Sequence, residues 1–352
     1  MIDLELGDIR HIPGWAEVMA AAITDAQTGL LDDLQRLPVE RNMNDVCAVI
    51  AHYMNAEYGW ATESNQVIVC YGGVEALHVA IKLAVGELGR VSFLVPSFPY
   101  WNICTGAGIL CSAIPIDRES SGELVETIVG QTNCRALIIS QPHNPFGFVW
   151  SASDLQAIEK WAIASNCKLI LDVVGACTCA DQSWSFGLNP ECWWIVDSAS
   201  KRFGVSGLRL GWVRKPKIQT HSTYLRFGVP VAVSYAVRNI GMKLFERADV
   251  LKSLINSEMR MRRKVAKEVL SDHVHVPDAG VFITIKCEPP LNATQLVEKL
   301  AGHGVKTPPP SFLVPPTDCE ALLDRYLRLS IGSENIERLT IGLSQVRSIV
   351  FP

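Results

Sequence analysis

The segment Ser198-Ala199-Ser200-Lys201-Arg202-Phe203-Gly204, followed by Gly207-Leu208-Arg209-Leu210-Gly211-Trp212, places one lysine among small hydroxyl residues, with an arginine eight positions further on. A lysine that forms a Schiff base needs a crowded, partly dry site, because such a site lowers its pKa and frees the amine. Ser198, Ser200 and Arg209 are what a phosphate beside that lysine would require. A carbonyl held by the amine and a phosphate held by its neighbours is the chemistry that these residue types could serve.

Other segments carry groups that could join it. Asp172 ends the apolar run Lys168-Leu169-Ile170-Leu171, where a carboxylate would be partly buried. Gln141-Pro142-His143-Asn144-Pro145-Phe146-Gly147 has the Asn-Pro and Gly offsets of a turn that would present Asn144, and His143 reads as a loop histidine. In Tyr71-Gly72-Gly73-Val74, the free N–H groups of Gly73 and Val74 at a helix start can bind phosphate, although a glycine pair alone marks only a turn. Arg328, in Tyr326-Leu327-Arg328-Leu329-Ser330, could hold a carboxylate by two parallel bonds.

These groups must be positioned by a frame. Val67–Cys70, Val91–Val95, Ala136–Ser140, Lys168–Asp172, Trp194–Asp197 and Leu210–Val213 read as buried strands, too continuous for half-exposed antiparallel ones. Helices are expected near 74–86, 100–108 and 153–165, the last capped by Ser151 or Ser153. The alternation implies a doubly wound α/β domain, in which functional groups gather past the carboxyl ends of strands. Gly72, Pro96, Gln141, Asp172 and Ser198 all fall there. Beyond about residue 230 an amphipathic stretch over 232–270 carries Lys and Arg on an expected solvated face. A strand near 280–285, a helix near 293–302, a Pro-rich loop at 307–316 and the strand Tyr326–Ser330 follow, as in a smaller α+β domain. The expected division is a large cofactor-binding α/β domain over 31–239 and a small domain from 1–30 with 240–352.

The chain has 352 residues, 48% hydrophobic and 19% charged, with a formal net charge of −4, so it offers no basic field for nucleic acid. No run approaches a membrane span, and Met1–Glu5 lacks the pattern of a signal peptide, which makes the cytoplasm the expected compartment. The 11 cysteines lie scattered in apolar stretches and read as reduced small hydrophobes; no metal site is expected.

The motif S-x-S-K-x-F-G-x-x-G-L-R-x-G-W, with the x-P-x-N-P-x-G loop of residues 141–147, resembles the aminotransferase class I/II family, the fold type I enzymes that use pyridoxal 5′-phosphate, histidinol-phosphate aminotransferases among them. The resemblance implies a fold type I architecture with a large, mostly parallel sheet, a homodimer, and a small-molecule amino acid substrate. Lys201 would carry the cofactor as an internal aldimine and shuttle a proton, and Asp172, 29 residues earlier, would pair with the pyridine nitrogen. Asn144 would donate to the phenolic oxygen. Gly73, Val74, Ser198, Ser200 and Arg209 would hold phosphate, and Arg328 the substrate carboxylate. The aromatic loop Pro96–Trp101 would stack a ring on the pyridine, with Phe98 the first choice and Tyr100 or Trp101 the alternatives.

Two departures bear on the reaction. Gly175 stands where the family has tyrosine three residues after the aspartate, which removes a donor and leaves space beside the cofactor. No tyrosine occurs in residues 37–45, where many relatives carry one that reaches the partner subunit's phosphate; Arg41 is the candidate substitute. An aminotransferase is the leading expectation, with a lyase, decarboxylase or cyclase on the same scaffold as the alternative. A cofactor-sensing regulator would need a DNA-binding extension, for which no room is expected. A nicotinamide enzyme lacks its G-x-G-x-x-G after a strand.

Overall fold

The computed structural model describes residues 1–39, 43–86, 89–117, 121–131, 134–217, 232–315 and 319–351. Arg41 lies outside them. Strands are numbered in chain order: β1 Ile2–Asp3, β2 Val67–Cys70, β3 Arg90–Val95, β4 Leu110–Pro115, β5 Ala136–Ser140, β6 Lys168–Asp172, β7 Trp193–Ser198, β8 Gly211–Arg214, β9 Phe282–Lys286, β10 Val305–Lys306 and β11 Tyr326–Ser330.

Seven strands form one sheet in the order β2-β8-β7-β6-β5-β3-β4. Only β8 runs against the rest, paired antiparallel with both β7 and β2. Every residue of β5 and of β7 is buried, as a sheet covered on both faces requires. The edge strand β4 is absent from the sequence reading; its residues are mostly half-exposed, so it lacks the continuous apolar run. The helix Gly72–Val85 crosses the sheet over β6, β7 and β8, and its first turn lies by the carboxyl ends of β6 and β7 and the start of the antiparallel β8. The helix Ala152–Ser165 is capped by Ser151, whose Oγ accepts from Asp154 N at 3.1 Å while Ser151 N donates to Asp154 Oδ2 at 3.2 Å.

A second apolar core gathers Leu4, Ile9, Ile12, Ile283, Leu327 and Leu329 with one face each of the helices Ala248–Leu270 and Ile336–Val350. Here β9 pairs antiparallel with β11 and β1 pairs parallel with β10. The amphipathic stretch over 232–270 forms two helices, Tyr235–Phe245 and Ala248–Leu270. Its basic residues are also not all solvated. Arg262 is fully buried, pairing with Glu258 at 2.8 Å and donating to the carbonyls of Gly332 and Arg10; Arg263 is buried and donates to the Gly280 carbonyl at 2.8 Å. Their acceptors lie far away in sequence, so only the folded chain shows why cations are tolerated there.

Candidate active site

Strand β7 ends at Ser198 and turns at once into the short helix Ala199–Arg202, which carries Lys201. Arg202, next to it, points the other way into the core. Its Nη2 lies 2.5 Å from Asp197 Oδ2 and from the hydroxyl of Tyr58, and Nη1 donates to the hydroxyl of Tyr53 at 2.8 Å. That buried network fixes the turn that presents Lys201. Leu210 O accepts from Ala199 N at 2.9 Å, which returns the chain to β8. Gly211 starts β8 against the backbone of Gly72, where a Cβ would lie 2.4 Å from the carbonyl carbon of Gly72.

A cavity of about 330 Å³ opens at the carboxyl ends of these strands. It brings together Lys201, Asp172, Gly73, Val74, Phe98, Asn144, Ser198, Ser200, Arg209 and Arg328, every site residue expected from the sequence. Gly175 and His143 line it as well.

Lys201 is largely enclosed, with its side chain 18% exposed, and Nζ lies 3.2 Å from Asp8 Oδ1. Burial pushes the amine below its usual pKa, against the opposing pull of Asp8. Asp172 closes β6. Its Oδ1 accepts from Val174 N at 3.1 Å and its Oδ2 from the Tyr100 hydroxyl at 2.9 Å. Burial raises its pKa, and both of its protein donors are neutral. Asn144 is held by a loop that Gln141 clamps: Trp150 N donates to Gln141 Oε1 at 2.9 Å and Gln141 Nε2 donates to Trp150 O at 3.2 Å. Asn144 Oδ1 is buried without a partner among the described residues.

Three features converge at one end of the cavity. The helix Gly72–Val85 leaves its first N–H groups without partners in the helix. The buried hydroxyl of Ser198 has no partner among the described residues and sits 3.6 Å from where a Cβ of Gly73 would be. Arg209 spans the entrance, donating to Ser206 O at 3.0 Å and Tyr71 O at 3.3 Å. Ser200 is buried and lines the same space.

Arg328, on β11, enters from the second core. Its guanidinium lies 4.0 Å from the ring centre of Phe282 and 4.9 Å from that of Phe312, and Nη2 donates to Glu5 O at 3.0 Å. Nε is buried without a partner, and no carboxylate among the described residues forms an ion pair with Arg328. Burial pushes its pKa down to about 9. An enclosed cation with a spare donor is built to receive an anion.

In the aromatic loop, Phe98 faces the cavity, whereas Tyr100 and Trp101 are buried against Phe93. The expected space at Gly175 is narrow, because a Cβ there would lie 3.2 Å from Pro142 Cδ. His143 is buried and stacked between Phe146 and Phe148, at 5.4 and 4.6 Å between ring centres, and burial drops its pKa to about 3. Sequence reasoning missed Asp8 as a partner of Lys201, Tyr100 as a donor to Asp172, and the two rings that flank Arg328. Only contact across the fold assigns Asp8 to Lys201.

The pattern of the family described as aminotransferase class I and II matches residues 7–340. Histidinol-phosphate aminotransferase 1 of Mesorhizobium japonicum is 25% identical over 305 residues, 83% of this chain and 78% of that protein. Valine–pyruvate aminotransferase of Mycobacterium tuberculosis is 27% identical over 183 residues, 49% of this chain and 45% of that protein. A probable N-succinyldiaminopimelate aminotransferase of the same species is matched over 41% of its length, so the chain spans less than half the length of these two Mycobacterium tuberculosis relatives. Among solved structures, an aspartate aminotransferase double mutant of Thermus thermophilus superposes with a TM-score of 0.81 at 18% identity, covering 99% of this chain and 91% of that one. The N-succinyldiaminopimelate aminotransferase of Mycobacterium tuberculosis gives 0.79 at 22% identity, covering 99% and 93%. The fold is that of the fold type I aminotransferases.

Proposed function

This chain belongs to the aminotransferase class I and II family, and we propose that it is a pyridoxal 5′-phosphate-dependent aminotransferase acting on an amino acid or a related amine. The observation that carries this reading is the meeting of Lys201, Asp172 and Arg328 around one cavity whose far end holds the free helix start and the unpartnered Ser198 hydroxyl.

The residues fit the cofactor. The orphaned Ser198 Oγ, the N–H groups of Gly73 and Val74, Ser200 and Arg209 suit its phosphate, and a Cβ on Gly73 would crowd Val174 at 3.2 Å and the Ser198 hydroxyl at 3.6 Å. When bound, pyridoxal 5′-phosphate supplies a reactive carbonyl and a ring that withdraws electrons from the substrate Cα.

Each protein group then has a defined task. Lys201 Nζ, its pKa lowered by burial, takes a proton from the substrate and returns it. Asp172, buried with only neutral donors, holds a proton on the ring nitrogen. Asn144 and Phe98, which line the same cavity, would hold the ring by a hydrogen bond to its oxygen and by apolar contact. Arg328, locked between two rings, would hold the substrate carboxylate and so set the orientation of the substrate Cα in the cavity. One feature favours the alternative of a lyase, decarboxylase or cyclase: Gly175 offers no hydroxyl at the cavity wall.

A homodimer accompanies this reading, supported by the exposed Leu31, Leu34 and Leu37 on the N-terminal segment. A cytoplasmic location is supported by the 11 free cysteines. Added pyridoxal 5′-phosphate should give a visible absorption band that Lys201→Ala abolishes. With an amino donor and a 2-oxo acid acceptor, a new amino acid should form. An oxo acid and ammonia released without any acceptor would replace the aminotransferase reading by the lyase one, and no Lys201-dependent band would remove both.

A further inference from the structure

We propose that Asp8 is a positioning residue for Lys201, its Oδ1 holding the lysine nitrogen at the cavity wall and stabilising its protonated form whenever that nitrogen is uncombined. The inference rests on the reading of Lys201 as the reacting amine.

The geometry is a three-residue arrangement. Asp8 Oδ1 lies 3.2 Å from Lys201 Nζ and accepts a second hydrogen bond from Ser206 Oγ at 2.7 Å. Because both donors meet on the same oxygen, Ser206 holds the carboxylate in the direction of the amine. Ser206 is itself fixed just beyond the lysine turn, where its carbonyl accepts from Arg209. The carboxylate therefore belongs to the same local frame as the phosphate end of the cavity.

Asp8 arrives there by backbone pairing. Leu4 N donates to Lys306 O at 2.9 Å, Ser330 N to Leu4 O at 2.7 Å, and Arg10 N to Gly332 O at 3.0 Å. Gly332 admits the segment, since a Cβ at that position would lie 2.3 Å from Asp8 O. One stretch of chain thus touches two cations of the site, Arg328 through the Glu5 carbonyl and Lys201 through the Asp8 carboxylate.

The charges facing Lys201 come from three further elements. Asp8 lies on the N-terminal segment, Cys177 in the turn after β6, and Arg328 on β11. Burial and Arg328 favour the neutral amine, and the Asp8 carboxylate opposes them. The Cys177 thiol, pushed up to about 12 by burial, stays uncharged at neutral pH. Asp8 is itself pushed up by burial, yet Lys201, Ser206 and Arg10 bring it below its usual value, so it is the ionised partner. Removing the carboxylate must therefore lower the pH at which Lys201 becomes a free base.

The test uses the cofactor-free protein and trinitrobenzenesulfonate, which reacts with the unprotonated amine, with modification at Lys201 read by peptide mass spectrometry across about pH 6 to 10. Asp8→Asn should move the midpoint down by about one unit, giving up to about tenfold faster labelling below it. Asp8→Glu, which keeps the charge, should stay nearer the parent protein. Ser206→Ala should move the midpoint the same way by less, and it decides the matter if Asp8→Asn does not fold. A folded Asp8→Asn protein with the parent midpoint, or one shifted upward, overturns the proposal. The two readings fail separately: absence of the Lys201-dependent visible band in the parent protein removes the cofactor reading, whereas an unmoved midpoint beside a normal band removes only the role of Asp8.

Discussion

A side-chain carbon at Gly72 would fall 2.3 Å from Nη2 of Arg209, so helix start and guanidinium approach each other with no room for a methyl group. Gly72 also holds φ +82, in the region where an L side chain is strained. The first turn of the helix and the arginine are therefore set as one unit, and the residues on either side inherit that setting.

Gly72→Ala should loosen this unit more than it destabilises the fold. Displacing Arg209 should weaken pyridoxal 5′-phosphate binding by about tenfold or more, with roughly 1 kcal/mol lost from the left-handed backbone. An absorbance titration of cofactor binding beside a thermal melt separates the two effects. Undiminished affinity would place the phosphate elsewhere.

Asp172→Asn should trade activity against stability. The carboxylate is buried with neutral donors only, so without cofactor its charge is poorly compensated, and the amide should leave the cofactor-free protein as stable or more so. Turnover should fall by about a hundredfold or more, because the ring nitrogen loses its partner. Melting temperature and single-turnover rate measure the two sides, and a destabilised but fully active variant would contradict the assignment.

Arg328 gives a pH signature. Its folded pKa is depressed to about 9 by burial, so the charge is present below that pH and is lost as pH rises through it. The KM of a carboxylate-bearing donor should therefore climb above about pH 9, while an amine lacking the carboxylate shows no such rise. Steady-state kinetics with the two donor types across this window check it.

Arg202→Met should cost about 3–5 kcal/mol, since it strands the fully buried Asp197. The double variant with Asp197→Asn should recover part of that loss. Denaturant unfolding of the single and double variants tests the coupling, and a cost under about 1 kcal/mol would mean that the network is dispensable.

Much of this was legible in the sequence because a parallel sheet buries both faces, so β5 and β6 appear as unbroken apolar runs that end at their functional residues. The half-exposed edge strand β4 and the two-residue pairing of β1 with β10 leave no such trace. The cationic helix Ala248–Leu270 misled for a different reason. Arg262 pairs with Glu258, and both Arg262 and Arg263 donate to carbonyls outside the helix, partners of which composition carries no sign. Asp8 was hidden in the same way, 193 residues from the amine it faces. The residues expected from local motifs line one cavity, whereas the N-terminal segment that closes it left no local sign.

That closure also has a temporal meaning during synthesis. Leu4 and Arg10 find their backbone partners in Ser330 and Gly332, which are made long after them. A growing chain can lay down its sheet and its lysine turn early, yet Asp8 and the Glu5 carbonyl have nowhere to dock until β11 has emerged. Residues 4–10 are made well before their partners and are seated only after β11, so the amine acquires its carboxylate neighbour only when Arg328 is also in place.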